Sequence, residues 1–256
     1  MAMPSTDEWG LVRSDQEEAE ESYFISMTDI MVGLLFIFII MLMAFGLMLK
    51  AATQEVIEGP RQAEKHRAEM LESIQRSLEQ RGIEVVLDKD NGVLRLPDEI
   101  LFAKGESSLS KEGLEAIGKL GRTLDVVLPC YAVLRPGATR PASCEAVGTE
   151  AYKLEAVFVE GHTDSDGTQA FNWNLSTERA VNTYRALQER SALATRLLNP
   201  ADQHLFSVSG YGENRPVREG TSSEAMQQNR RIDLRFVMHY IGDPGDAALS
   251  AKGRAD

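Results

Sequence analysis

Histidine and cysteine are scarce in this chain of 256 residues, which has four of the first and two of the second. So few leave no cysteine-rich zinc framework. The sequence also lacks the G-x-x-x-x-G-K-[ST], H-E-x-x-H and G-x-S-x-G patterns, which argues against a P-loop ATPase, a zincin and an α/β-hydrolase. Positive charge is short as well: 27 Lys and Arg stand against 39 Asp and Glu, a net of −12. A chain this acidic suits a phosphate backbone poorly, so direct nucleic-acid binding is not expected. What is present suffices for a globular core, with 43% hydrophobic and 26% charged residues. The length allows one ordinary domain with additions, or two small ones.

Hydrophobicity is unevenly spread. Ile30–Leu49 runs for 20 residues without charge, amide or proline. As a helix it would span about 30 Å, the thickness of a bilayer's hydrocarbon core. A secretory signal fits badly, because Met1–Asp29 holds eight acids and one arginine where a basic region is needed. We therefore expect an acidic, unstructured tail over 1–21 and a retained transmembrane helix over 22–49. Asp29 lies at or inside the start of this span. A carboxylate there costs on the order of 2–3 kcal/mol unless protonated, paired or hydrated. It also suits a helix N-terminus, so charge alone leaves both readings open. Asp29, Gly33, Phe36, Ile40, Met43 and Leu47 share one helical face, and Gly33 would admit a neighbouring helix. That combination points to an ion-carrying site at Asp29. Lys50, Arg61, Lys65 and Arg67 come after the span, so the positive-inside rule puts the C-terminal part in the cytoplasm.

Residues 50–81 are polar and helix-prone, broken by Gly59-Pro60. Ala63, Met70, Ile74 and Leu78 trace a narrow apolar stripe that reads as a stalk or a partly helical tether. Mixed α/β patterning begins at Gly82. Ile83–Leu87 and Val93–Leu96 flank Asp90-Asn91-Gly92 as a hairpin. Ser110–Leu128 and Leu175–Arg190 carry helical periodicity, and Leu154–Val159, Leu205–Gly210 and Ile232–His239 read as strands. The fold class is therefore α+β, with a mixed sheet in a βαβαβ-type domain over 82–242 and a disordered tail over 243–256. A Pro/Gly/Ser-rich insertion over 129–150 carries Cys130 and Cys144, a candidate disulfide worth roughly 3 kcal/mol in an oxidising compartment.

Polar chemistry is densest in Val159–Ala180. His162, Asp164 and Asp166 together suggest a metal, yet D-S-D-G lacks the rest of a calcium loop and the spacing does not make a zinc site. A plain strand-to-helix loop is one alternative. Another is capture of a zwitterion, with Asp164 for an ammonium and Arg179 for a carboxylate.

The pattern G-H-T-D-x-x-G…N-x-x-L-S-x-x-R-A, with the later G-Y-G-x-x-x-P and N-R-R, resembles the OmpA-like peptidoglycan-binding domain. It falls on Gly161–Asp164, Gly167, Asn172, Leu175-Ser176, Arg179-Ala180, Gly210–Gly212, Pro216 and Asn229–Arg231. Leu101-Phe102, Gly105 and Leu109 are similar to that family's opening motif. The resemblance implies binding of the diaminopimelate of the cell-wall stem peptide. Asp164 would then grip the ammonium and Arg179 the carboxylate, with Asn172, Leu175 and Arg231 lining or supporting the pocket.

A single span with an acid at its start, a stalk and an OmpA-like domain together resemble the MotB-type stator subunits of ion-driven rotary motors. Within that group the chain looks most like the ZorB-type subunits of the Zorya anti-phage systems. The resemblance implies an inner-membrane protein with a cytoplasmic N-terminus and a periplasmic C-terminal domain, against the charge rule. It implies a homodimer inside a ring of polytopic MotA/ZorA-like subunits, and Asp29 as the carrier of H+, with Na+ an alternative. No cofactor, resident metal or covalent chemistry is called for, so an enzyme is not expected. A flagellar-type stator, a passive wall anchor with an idle Asp29, and a hydrolase built on His162, Asp164 and Asp166 stay open as rivals.

Overall fold

The computed structural model describes residues 7–135, 137, 139–144, 152–191 and 197–240. It divides into two compact units, Met1–Val56 and Ile57–Asp256. The tail expected over 243–256 lies outside the described residues. Helix α1 (Asp7–Glu79) contributes to both units, and its two parts are taken separately.

In the first unit the backbone is helical from Asp7, which corrects the expectation of an unstructured acidic tail over 1–21. Glutamate, glutamine and alanine are strong helix formers, and acids near a helix N-terminus oppose its dipole favourably. Met27–Lys50 forms 24 residues of mean hydropathy 2.9 with none of the stretch buried. By length and composition it is able to cross a membrane.

The second unit begins with the last turns of α1. The break expected at Gly59-Pro60 does not occur, since α1 runs through Pro60. An interior proline costs a helix about 3 kcal/mol, but the turns beyond Pro60 are well anchored. Ala63, Met70, Leu71, Ile74 and Leu78 are all buried. Burying each of the four larger side chains contributes roughly 1.5–3 kcal/mol, enough together to offset the proline. The apolar stripe expected to form a stalk over 50–81 is thus a side of the domain core, packed with residues of the sheet and of the next helices.

The hairpin expected around Asp90-Asn91-Gly92 is formed by β1 (Val86–Asp88) and β2 (Val93–Pro97). A single turn, α2 (Asp98–Leu101), precedes α3 (Lys111–Val127), whose cap Ser110 accepts a hydrogen bond from the Gly113 amide at 2.8 Å. Cys130 and Cys144 are joined by a disulfide with 5.0 Å between Cα atoms. Within the insertion, β3 (Val133–Leu134) pairs with β5 (Leu197–Leu198) in a small separate sheet. Strand β4 (Tyr152–His162), helix α4 (Gln169–Arg190) and β6 (Phe206–Gly210) make a βαβ unit, so β4 and β6 are parallel. Helix α5 (Ser223–Asn229) leads into β7 (Arg231–Tyr240).

The main sheet has the order β1-β2-β7-β4-β6 and is antiparallel except for the last pair. One face carries Leu94, Leu96, Leu154, Val157, Val159, Ile232, Leu234 and Phe236 into the core beneath the helices. Alternation sends Arg95, Glu160, His162, Arg231, Asp233 and Arg235 to the other face. There they pair among themselves: Arg95 and Arg231 hold Asp233 at 3.2 and 3.0 Å, and Arg235 holds Glu160 at 2.9 Å.

If the end of α1 is core, Leu78→Ala should destabilise the second unit by about 2–5 kcal/mol in denaturant titration. A free-standing stalk would leave the unfolding midpoint of this unit unchanged.

Candidate ligand-binding site

Two glycines set the site. Gly161 of β4 lies beside Gly210 of β6 in the parallel ladder. A Cβ on Gly161 would collide with the Ser176 carbonyl, and one on Gly210 with Thr177. Without side chains there, α4 rests directly on the sheet at the carboxyl ends of its two parallel strands. Ser176 fastens this contact, its Oγ accepting from the Gly212 amide at 2.9 Å. Thr168 caps α4 by accepting from the Phe171 amide.

A cavity of about 340 Å³ opens here, lined by Lys104, Gly105, Thr163, Asp164, Asp166, Gly167, Phe171, Asn172, Leu175, Arg179 and Arg230. Asp164, Asn172, Leu175 and Arg179 thus converge as the sequence suggested. Asn172 donates through Nδ2 to the Asp164 carbonyl at 3.3 Å and to the Glu213 carboxylate. The Thr163 hydroxyl is buried and has no hydrogen-bond partner among the described residues, leaving it available to a ligand.

Charge runs through the wall as an alternating chain. Arg179 is 1% exposed and donates to Asp98 at 2.9 Å, to the Glu106 carbonyl at 2.8 Å and to the Ala103 carbonyl at 3.5 Å, with its guanidinium over the Phe102 ring. Arg230 sits 3.5 Å from the other Asp98 oxygen and donates to Asp164 at 2.8 Å. Burial pushes the Asp98 carboxyl above the usual carboxylate range, while the two guanidiniums pull it back down. Asp98 and Lys104 lie outside the motifs quoted from the sequence, while Thr163 and Arg230 lie within them without an assigned role.

Arg231 does not line the cavity, so of its two expected roles, lining and support, only support is left. As the first residue of β7 it turns to the charged face of the sheet, where it is bound to Asp233 and to the Asn229 and Arg215 carbonyls. Its neighbour Arg230, at the end of α5, lines the cavity together with Arg179.

His162 also parts from Asp164 and Asp166. It is 1% exposed, stacked on Tyr211 at 5.3 Å between ring centroids, with both ring nitrogens lacking a hydrogen-bond partner among the described residues. Glu160, His162 and Asp233 bring their ligand atoms within 4.8 Å of one another. Both carboxylates are already held by Arg95, Arg231 and Arg235, so a dication would meet three guanidiniums. The donor set does not fit a metal. Burial, reinforced by Arg231, Arg215, Arg95 and Arg235, pushes the His162 imidazole down to about 2.

The chain is similar to several known proteins. Residues 144–230 match the OmpA family. Zorya protein ZorB of Escherichia coli O139:H28 (strain E24377A / ETEC) is 24% identical over 250 residues, 94% of this chain and 90% of that protein. Motility protein B of Bacillus subtilis (strain 168) is 25% identical over 190 residues, 72% of this chain and 58% of that one. A peptidoglycan-associated lipoprotein of Pseudomonas putida is 36% identical over 102 residues, 38% of this chain and 55% of that one. The match therefore spans little more than half the length of the last two relatives. The architecture, an apolar N-terminal helix followed by an OmpA-like domain, resembles that of MotB-type proteins. The similarity to ZorB runs over nearly the whole chain.

His162 is neutral in the folded state at any ordinary pH, whereas in the unfolded chain it takes a proton below about 6.5. Its stabilising contribution is full above that value and declines as pH falls. Replacing it with Gln should flatten the pH dependence of unfolding between about 6.5 and 4 by up to about 1.4 kcal/mol per pH unit. Equal slopes in the two proteins would overturn the assignment.

Proposed function

We propose that this chain is the single-span subunit of a proton-driven, stator-like rotary motor that is anchored to peptidoglycan and serves anti-phage defence. The observation that carries the reading is the similarity to ZorB over 94% of the chain, which takes in both the Asp29 helix and the cavity. The N-terminus lies in the cytoplasm and the C-terminal unit in the periplasm. The Cys130–Cys144 disulfide supports that orientation, since such bonds persist in oxidising compartments. A domain of this size is able to translocate despite the lysines just after the span.

In this mechanism two copies of the chain stand inside a ring of polytopic MotA/ZorA-like subunits. Hydrocarbon surroundings favour the neutral form of a carboxylate, so one at Asp29 takes up a proton on one side and releases it on the other. Each charge crossing 100 mV makes about 2.3 kcal/mol available. Neutralising Asp29 changes how its helix fits the ring and permits a step. The C-terminal unit supplies the reaction force by gripping the amino-acid end group of the stem peptide, with Asp164 on the ammonium and Arg179 toward the carboxylate. The cycle makes and breaks no covalent bond.

Two measurements test the reading. In cells carrying the operon, Asp29→Asn should abolish protection against phage plaquing at unchanged membrane abundance, while Asp29→Glu retains part of it. Protection that survives Asn would leave only a wall anchor, and a wild type without protection would turn the reading to motility. Asp164→Asn should weaken binding to isolated peptidoglycan, read by co-sedimentation, by about thirtyfold or more, the loss expected on breaking one buried charged contact.

A further inference from the structure

This inference rests on the wall-binding reading above and concerns how the same cavity recognises its ligand. Asp164, the acid assigned to the ligand's ammonium, is already engaged. Its Oδ2 accepts from Arg230 at 2.8 Å, and its Oδ1 from the Asp166 amide at 3.1 Å. An ammonium approaching this carboxylate therefore competes with a guanidinium.

The two cavity arginines are not equally able to respond. Arg179 is 1% exposed, and all three of its nitrogens donate to protein acceptors. Arg230 is 27% exposed and is held by one close contact, with Asp98 standing off at 3.5 Å. Arginine keeps its charge under all ordinary conditions, so a displaced Arg230 must meet another anion. An amino-acid end group supplies both halves of such an exchange, with an ammonium and a carboxylate on the same carbon.

We propose that the ligand's zwitterion inserts into the Asp164–Arg230 pair. The ammonium takes Asp164, and the carboxylate recruits Arg230 to stand beside Arg179. One ion pair opens and two form, with no net charge carried into the cavity. Arg230 is thereby a specificity residue for the ligand carboxylate. An amidated end group displaces Arg230 without offering it a partner and binds weakly for that reason, apart from any contact it loses with Arg179.

The test uses the full chain in lipid nanodiscs. The probes are a disaccharide tripeptide ending in diaminopimelate with a free side-chain carboxylate, and the same compound amidated there. Wild type should lose about tenfold in affinity on amidation, and Arg230→Gln about threefold or less, with an unchanged thermal midpoint. Arg230→Lys, which keeps the charge but not the fork, should fall between them and covers the case of a misfolded Gln variant. Undiminished loss in Arg230→Gln overturns the exchange and returns the carboxylate to Arg179. If Lys104→Met removes the discrimination instead, the carboxylate belongs to Lys104 and the exchange is again overturned. A wild type that binds neither compound overturns the wall-binding reading itself.

Discussion

The cavity depends on a single buried ion pair. A guanidinium at 1% exposure has lost nearly all its water, and Arg179 recovers that loss through Asp98, two backbone carbonyls and the face of Phe102. Removing one partner from such a pair typically costs about 3–5 kcal/mol, because the other charge is left buried alone. The pair joins α4 to the turn of α2 across 81 positions of sequence. It also fixes where Arg230 finds its second carboxylate, and through Arg230 it orients Asp164. Asp98 thus holds Arg179 directly and stands as the second, longer contact of Arg230, yet it touches no ligand in the proposed mechanism.

A different constraint governs the first unit. Large apolar side chains from Met27 to Leu49 are half exposed or more, with Met48 at 75%. In water a surface of that kind would far exceed the few hundred Å² that soluble proteins tolerate. Such a surface suits lipid or other helices, and Asp29 stands where the apolar stretch begins. The same stripe that places Gly33 one turn from the acid would let a neighbouring helix approach the carboxylate closely.

Much of the fold was legible in the sequence, and the misses have physical causes. The span, the hairpin and helix α3 were read from period and turn chemistry, and strand β4 and helix α4 from local pattern. The apolar stripe of Ala63, Met70, Ile74 and Leu78 was visible too, but a stripe does not name its partner. A stalk and a domain flank demand the same spacing. Asp98 was invisible because its importance comes from a residue far away in the chain. The metal-like triplet dissolved because a strand alternates: His162 ends β4 on the charged face, whereas Asp164 lies beyond the strand and turns to the cavity.

The N-R-R segment shows why a motif identifies a region more reliably than a role. It straddles the end of α5 and the start of β7, so three successive side chains leave in three directions. Asn229 accepts from the Val217 and Arg218 amides and fastens the preceding loop. Arg230 reaches the cavity and bonds Asp164. Arg231 enters the ladder on the charged face, where it holds Asp233. Periodicity alone cannot choose between adjacent arginines unless the first residue of the strand is known, and a shift of one exchanges their tasks. Arg231 therefore acts on the cavity only through the stability of the sheet beneath it. Arg230, held by one close ion pair at the cavity wall, is free to act on what enters.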